Sequence, residues 1–170
     1  MPSAIRSALS ALLLGLLLLA PVASAATDSR RGSGLPVPRF VTLRSDEVNV
    51  RTGPGVRYPV EWVFVRRGMP VEITAEFDTW RRIRDWEGSE GWVHQSLLSG
   101  NRAVVIVGTT RALRAQPSDS AGTVAMAEPG VMGALERCTG PWCRVEMKGF
   151  KGWLTRDEVW GVYPDEAVEK

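Results

Sequence analysis

His94 is the only imidazole in the 170-residue chain, and Cys138 and Cys143 are its only thiols. A covalent hydrolase needs a nucleophile with a base held within hydrogen-bond reach. Here that pair would have to be Cys143 and His94, drawn together from distant parts of the chain. No Ser sits in a nucleophile-elbow pattern, no two-His helix motif for zinc occurs, and no Gly-rich run ends in Gly-Lys-Ser/Thr to cradle a phosphate. A structural zinc site wants four Cys or His ligands, and the chain has three in all. The carboxylates Asp85 and Glu87 are expected in a solvated hairpin. Arg81, Arg82 and Arg84 make a basic strip offset by Asp78, Asp85 and Glu87, which reads as a solvated, salt-bridged face. No catalytic residue, metal ligand or cofactor is expected, and the chain reads as a non-enzyme.

The two cysteines have a different use. Thr139 to Trp142 separate them, and Gly140-Pro141 supplies a turn, so they are expected on facing strands with Cα atoms about 4.5–5.5 Å apart, a spacing a disulfide accepts. An oxidising compartment would favour the bridge. The N-terminus points to such a compartment. Arg6 precedes an apolar run, Ala8 to Ala20, which Pro21 breaks, and Ala23-Ser24-Ala25 offers small residues for cleavage after Ala25. The run is too short to span a bilayer. Residues 1–25 are therefore expected to be a cleaved signal peptide, 26–38 a flexible leader, and the protein periplasmic or secreted, with no membrane span in the mature chain.

The full chain carries a formal charge of +2, and +1 once Arg6 leaves with the signal. A field that weak argues against nucleic-acid partners. Seventeen Gly and eleven Pro favour short strands and tight turns over long helices.

The strongest organising signal is a duplication. Asn49-Val50-Arg51-Thr52-Gly53-Pro54 corresponds to Ala112-Leu113-Arg114-Ala115-Gln116-Pro117, Trp80 to Trp142, and Gly91-Trp92-Val93 to Gly152-Trp153-Leu154, at offsets of 63, 62 and 61 residues. A period near 60 is that of a minimal domain, not of a solenoid repeat. Units are expected at 39–99 and 102–164, with 165–170 a C-terminal tail. Val71, Ile73, Ala75 and Phe77 alternate with polar residues, the pattern of a half-buried strand. Turn residues recur at Gly53-Pro54-Gly55, Arg67-Gly68 and Glu87-Gly88-Ser89-Glu90. Five short strands per unit are expected, closing into a small barrel, with single helical turns near His94–Leu98 and Thr155–Val159. The fold class is thus all-β, two tandem barrels. Val104-Val105-Ile106-Val107 is more apolar than one small barrel requires, which suggests a shared interface.

The duplication also sorts the seven Trp. Trp80 with Trp142 and Trp92 with Trp153 are repeated, as packing residues should be. Trp62, Trp86 and Trp160 are not. Trp86 between two carboxylates and Tyr58 beyond Gly53-Pro54-Gly55 are expected to be exposed, and with Trp62 they are the candidate binding residues. They belong to the first unit; the stretch Ser118 to Ala127 of the second has no aromatic residue.

Val48-Asn49-Val50-Arg51-Thr52-Gly53-Pro54-Gly55, followed by Gly68, Trp80 and Gly91-Trp92-Val93, resembles the bacterial SH3-like (SH3b) domains, and Pro38-Arg39-Phe40 through Leu98 looks like their exported proteobacterial branch. The second unit resembles them more distantly, with Gln116-Pro117-Ser118 in place of Gly53-Pro54-Gly55. The resemblance implies SH3-like barrels in an exported bacterial setting, where family members bind cell-wall peptides or other envelope components. The expected function is recognition of a peptide, cell-wall or envelope protein partner. The alternative is a structural or assembly subunit of an envelope complex with no small ligand.

Overall fold

The computed structural model describes residues 32–169; the expected signal peptide and its cleavage point lie outside the described residues. The first unit contains β1 (Arg39–Leu43), β2 (Val48–Arg51), β3 (Val60–Phe64), β4 (Pro70–Phe77), β5 (Trp80–Arg84), β6 (Glu90–His94) and β7 (Leu98–Ser99). The second contains β8 (Ala103–Ile106), β9 (Arg111–Arg114), β10 (Thr123–Ala127), β11 (Met132–Thr139), β12 (Trp142–Met147), β13 (Phe150–Thr155) and β14 (Val159–Trp160). Strand order is β3-β2-β6-β5-β4-β1-β7 in one sheet and β10-β9-β13-β12-β11-β8-β14 in the other. Each strand thus takes the place of the one seven before it. The chain is all-β, with two tandem units of one topology.

Each unit has seven strands rather than five, for two reasons. The two-residue β7 and β14 leave no alternation to read. β1 and β8 are buried on both faces along most or all of their length, so the period-two signature is hidden. The expected helical turns are short 3₁₀ turns at Gln95–Leu97 and Arg156–Glu158.

Equivalent side chains fill the two cores. Val41, Leu43, Val50, Ile83 and Val93 in the first correspond to Val104, Ile106, Leu113, Val145 and Leu154 in the second. The Gly-Trp pairs mark the tightest strand crossing. A Cβ on Gly91 would lie 2.3 Å from Val50 Cγ1, and one on Gly152 would lie 2.6 Å from Leu113 Cγ. Both distances are below any van der Waals contact, so the repeated glycine is a packing requirement.

The units meet where β4 lies against β8 and where Phe40 of β1 reaches Trp160 and Tyr163. Phe40, Thr42, Ala103 and Val105 are all buried, although their side chains alternate with those of the cores. The Phe40 ring meets Trp160 edge-on at 4.8 Å and Tyr163 at 4.6 Å. Tyr163 donates its hydroxyl to Glu72 Oε1 at 2.7 Å, and Arg84 donates to Glu72 Oε2 from the same unit as Glu72. Glu72 is only 3% exposed; these bonds satisfy both oxygens of a carboxylate that would otherwise be costly to bury.

The chain on either side of the barrels is also engaged. Ser33 donates its amide and hydroxyl to Glu76 at 2.6 and 2.7 Å, and Arg39 bonds both Glu76 and the Pro36 carbonyl. From Ser33 onward, the stretch expected to be a flexible leader is pinned to β4. At the other end, Val162 and Val168 enter the second core, and the Val168 carbonyl accepts from the Cys138 amide at 3.0 Å. Arg156 donates to the Tyr163 and Glu166 carbonyls, while Arg102 pairs with the Glu166 carboxylate.

Candidate functional site

Topology decides whether Tyr58, Trp62 and Trp86 share a location. Arg51 on β2 faces Trp92 on β6 in an antiparallel pair. The loop after β2 therefore leaves from the same end of the barrel at which β6 begins, beside the β5–β6 turn. Tyr58 lies in that loop and Trp86 in that turn. Trp62 opposes Val50 across the β2–β3 pair, and its ring reaches to 3.5 Å from a Cβ built on Gly91. All three candidates thus belong to one end of the first barrel.

Local chemistry fixes each of them. Tyr58, expected to be exposed, is half-buried against the turn glycines: its ring would be 2.5 Å from a Cβ on Gly53, so only glycine admits it. Arg51 donates to the Tyr58 carbonyl at 2.7 Å, and the Arg57 guanidinium stands 5.3 Å from the Tyr58 ring centre. Trp62 and Phe64 stack edge to face at 6.2 Å. Trp86 is not the free aromatic expected between two charges. It is half-buried against the first core, because Asp85 folds the turn inward. Asp85 is 5% exposed and accepts the amides of Glu87 at 3.0 Å and Ser89 at 2.8 Å. The solvated hairpin carboxylate expected there is instead the buried acceptor that shapes the turn.

The basic strip needs the same correction. Arg82 and Arg84 are exposed, whereas Arg81 is 3% exposed and donates to the Asp78 and Trp80 carbonyls and to Gln95 Oε1, besides pairing with Glu76. Sequence cannot distinguish the three arginines by type. Their alternation along β5 does so, because Arg81 falls on the same face as Ile83.

Cys138 and Cys143 are joined in a disulfide, with Cα atoms 4.0 Å apart. This is tighter than expected. Cys138 gives its amide to Val168 rather than to Cys143, so the two residues face each other in the closer kind of antiparallel pair. His94 caps the following turn: Ser96 N–H donates to Nδ1 at 3.3 Å, with the Ser96 hydroxyl at 2.7 Å, and the Trp80 ring stands edge-on at 5.5 Å.

Sequence reasoning missed Phe40, Glu72, Tyr163 and Arg102 at the junction between the units. The only signal for them was the excess of apolar residues on β8. A cleft of about 400 Å³ opens beside that junction, lined by Arg44, Arg67 and Asn101 and by Met132 and Glu146 of the second unit. Another of about 740 Å³ lies beneath the C-terminal segment, lined by Cys138, Pro141, Arg156 and Val162. Among the described residues no group of three His, Cys, Asp or Glu is placed to hold a metal ion, and no helix is long and apolar enough to cross a membrane.

Comparison with known proteins gives one curated relative in which the chain matches only part. A candidate N-acetylmuramoyl-L-alanine amidase of Bacillus subtilis (strain 168), YrvJ, is 24% identical over 128 residues, which is 69% of this chain and 24% of that protein. Among solved structures, NlpC1 of Trichomonas vaginalis is 13% identical at a TM-score of 0.34, covering 76% of this chain and 48% of its own. An NlpC/P60 family protein from Bacillus cereus ATCC 10987 is 13% identical at a TM-score of 0.33, covering 71% and 55%. The chain therefore spans about a quarter of the curated relative and about half of these structures. The bacterial SH3 domain model matches twice, at residues 44–100 and 107–161, one match to each sheet. With well over half of its length in those two segments, the chain belongs to the bacterial SH3 domain family.

Proposed function

We propose that this protein is a non-catalytic binding protein acting outside the cytoplasm, which holds a peptide, cell-wall or envelope protein partner at the aromatic end of its first barrel. One observation carries the reading. The topology gathers Tyr58, Trp62 and Trp86 at that end, and the duplicate has Ala121, Ala125 and Lys148 in their places. A barrel of this topology can be built without those aromatics, so their presence in one copy speaks for a use beyond folding. Tyr and Trp offer large contact area with few rotors to freeze, which suits recognition. The bridge takes up both thiols and His94 caps a turn, so the residues best suited to nucleophilic chemistry have structural work. The disulfide favours an oxidising compartment.

The test is retention on purified cell walls and on envelope extract. The Bacillus subtilis relative is named for an activity on N-acetylmuramoyl-L-alanine, which makes wall material the first choice. Tyr58→Ala should weaken retention and, because the ring covers Gly53, lower the melting temperature modestly with the barrel still folded. Trp86 leans on the core, so Trp86→Phe is the variant that probes contact without opening a cavity. If both variants are retained like the parent, the site is wrongly assigned.

The alternative, a subunit of an envelope assembly, draws on a different observation. β3 is an edge strand, and Val60, Val63 and Val65 on or beside it are 42%, 39% and 77% exposed. Such an edge suits docking of another chain. Under that reading Val63→Lys releases the partner and Tyr58→Ala does not.

A further inference from the structure

We propose that the cleft between the two barrels is a second binding site, which takes a short peptide by its free terminal carboxylate. It lies between Thr42–Arg44 of the first barrel and Met132–Ala134 of the second, apart from the aromatic end, and does not depend on the role assigned there. At about 400 Å³ it is of a size that holds a few residues of peptide.

The chemistry of its walls is one-sided. Arg44 and Arg67 line it from the first barrel and Arg102 from the linker. Neither Arg44 nor Arg67 takes part in an ion pair or a side-chain hydrogen bond among the described residues. Their backbones are nevertheless fixed side by side. Gly68 donates to the Leu43 carbonyl at 2.9 Å, and Arg44 donates to the Leu97 carbonyl at 2.8 Å. Arg102 is held by Glu166, by the Gly161 carbonyl and by the face of Phe40, which fixes a third cation in the lining. Arginine is also the side chain whose planar fork best matches a carboxylate.

The opposite wall differs. Met132, Gly133 and Ala134 give it an apolar floor, and Glu146, which pairs with Lys151 at 3.1 Å, supplies its carboxylate. An anionic end toward the arginines and an uncharged or cationic body toward Met132 and Glu146 is the arrangement these walls match. The duplication adds a second argument. The residues equivalent to Arg44 and to Arg66-Arg67 are Val107 and Glu128-Pro129, so the two unpaired arginines are not needed to build the fold.

The probes are glycyl-alanyl-alanine with a free carboxylate and the same peptide as its C-terminal amide, titrated into the protein while backbone amide resonances are followed. The free acid should shift resonances around Arg44, Gly68, Asn101 and Met132 and bind at least roughly ten-fold more tightly than the amide, the scale of one hydrogen bond to a charged group. Arg44→Gln and Arg67→Gln, both at exposed positions, should each weaken the acid by a similar factor while the spectrum stays folded. Versions ending in D-Ala-D-Ala and in L-Ala-L-Ala then separate a wall peptide from a protein terminus, and binding of either acid supports the site. Equal binding of acid and amide, shifts confined to Tyr58 and Trp86, or no shift at millimolar acid would overturn it. Shifts confined to Tyr58 and Trp86 would leave the aromatic-end reading standing.

Discussion

The β4–β5 hairpin of the first barrel and the β11–β12 hairpin of the second solve one problem with different chemistry. Glu76 faces Arg81 across the first, and Cys138 faces Cys143 across the second, at equivalent register positions. The first pair is an ion pair at 3.1 Å, the second a disulfide. Each also anchors a flanking segment: Glu76 receives Ser33, and the Cys138 amide reaches Val168. The turns between them share a left-handed backbone, at φ 52° on Asp78 and φ 55° on Gly140. The same position thus carries a cross-link in both barrels, of different chemistry in each. A buried ion pair depends on every partner being present, whereas a covalent bridge does not, so the two barrels should fail differently.

The largest effect follows from removing one ion-pair partner. Arg81→Ala removes a buried guanidinium, leaves the half-buried Glu76 to Arg39, and strips donors from the Asp78 and Trp80 carbonyls, and should cost about 3 kcal/mol, the low end for a broken buried pair. Denaturant unfolding measures it. The double change Glu76→Cys with Arg81→Cys turns the first hairpin into the second. It should form the bridge on oxidation and lose less than Arg81→Ala alone; two free thiols in that variant would show that the positions are not equivalent.

Next in size is the native bridge. Cys138→Ser with Cys143→Ser should destabilise by roughly 2 kcal/mol, the chain-entropy value for so small a loop. Amide exchange should quicken in β11, β12 and around Val168 more than in the first barrel. Alkylation of two thiols in unreduced native protein would remove the basis for this comparison.

The duplication, the all-β class and the bridge were legible because they rest on spacing and turn residues, which sequence carries directly. The partner of Arg81 was not. The 62-residue offset takes Cys138 to Glu76, and the register shifts at Ile73/Ala75 and Leu135/Arg137 fall at matched places, but residue type does not show that a glutamate there packs against an arginine. Burial of Arg81, Glu72 and Asp85 ran against residue type and became clear only with their hydrogen-bond partners in place. Tyr58, Trp62 and Trp86 were found by asking what one copy has and the other lacks. Their common end depends on β2 pairing with β6, which no local pattern shows.

Tyr163 tests a smaller difference, since the second barrel's C-terminal segment also touches the first barrel, whereas the hydrogen bonds of Ser33 among the described residues stay within the first unit. Tyr163→Phe keeps the ring against Phe40 and removes only the donor to Glu72, which retains Arg84. A loss of about 1 kcal/mol is expected, with faster amide exchange along both β1 and β8. Exchange that changes only near residue 163 would mean the hydrogen bond does not couple the barrels.

The smallest effect is the response to acid. Burial pushes the Glu76 carboxyl up, but hydrogen bonds from Arg39 and from the Ser33 hydroxyl and amide, with the Arg39 charge, outweigh it and hold the group below its ordinary 4.5. A carboxyl depressed in the folded state contributes stability that is complete above its unfolded value and lost as pH falls through its folded value. The Ser33 anchor should therefore persist at neutral pH and release only below 4.5. The Glu166 carboxyl is lowered in the same sense: burial opposes the shift, while Arg102, the Tyr163 amide and the Arg156 charge outweigh it. Its contact with Arg102 should loosen over the same acid range. The disulfide does not titrate, and Val168 stays tied to Cys138 through backbone and core. Amide protection of Ser33 and Leu35, taken relative to the intrinsic exchange rate at each pH and compared with that of Cys138, should fall strongly in acid for the first two and little for the third. Equal loss of protection at both ends would mean that the bridge gives its hairpin nothing that the ion pair lacks.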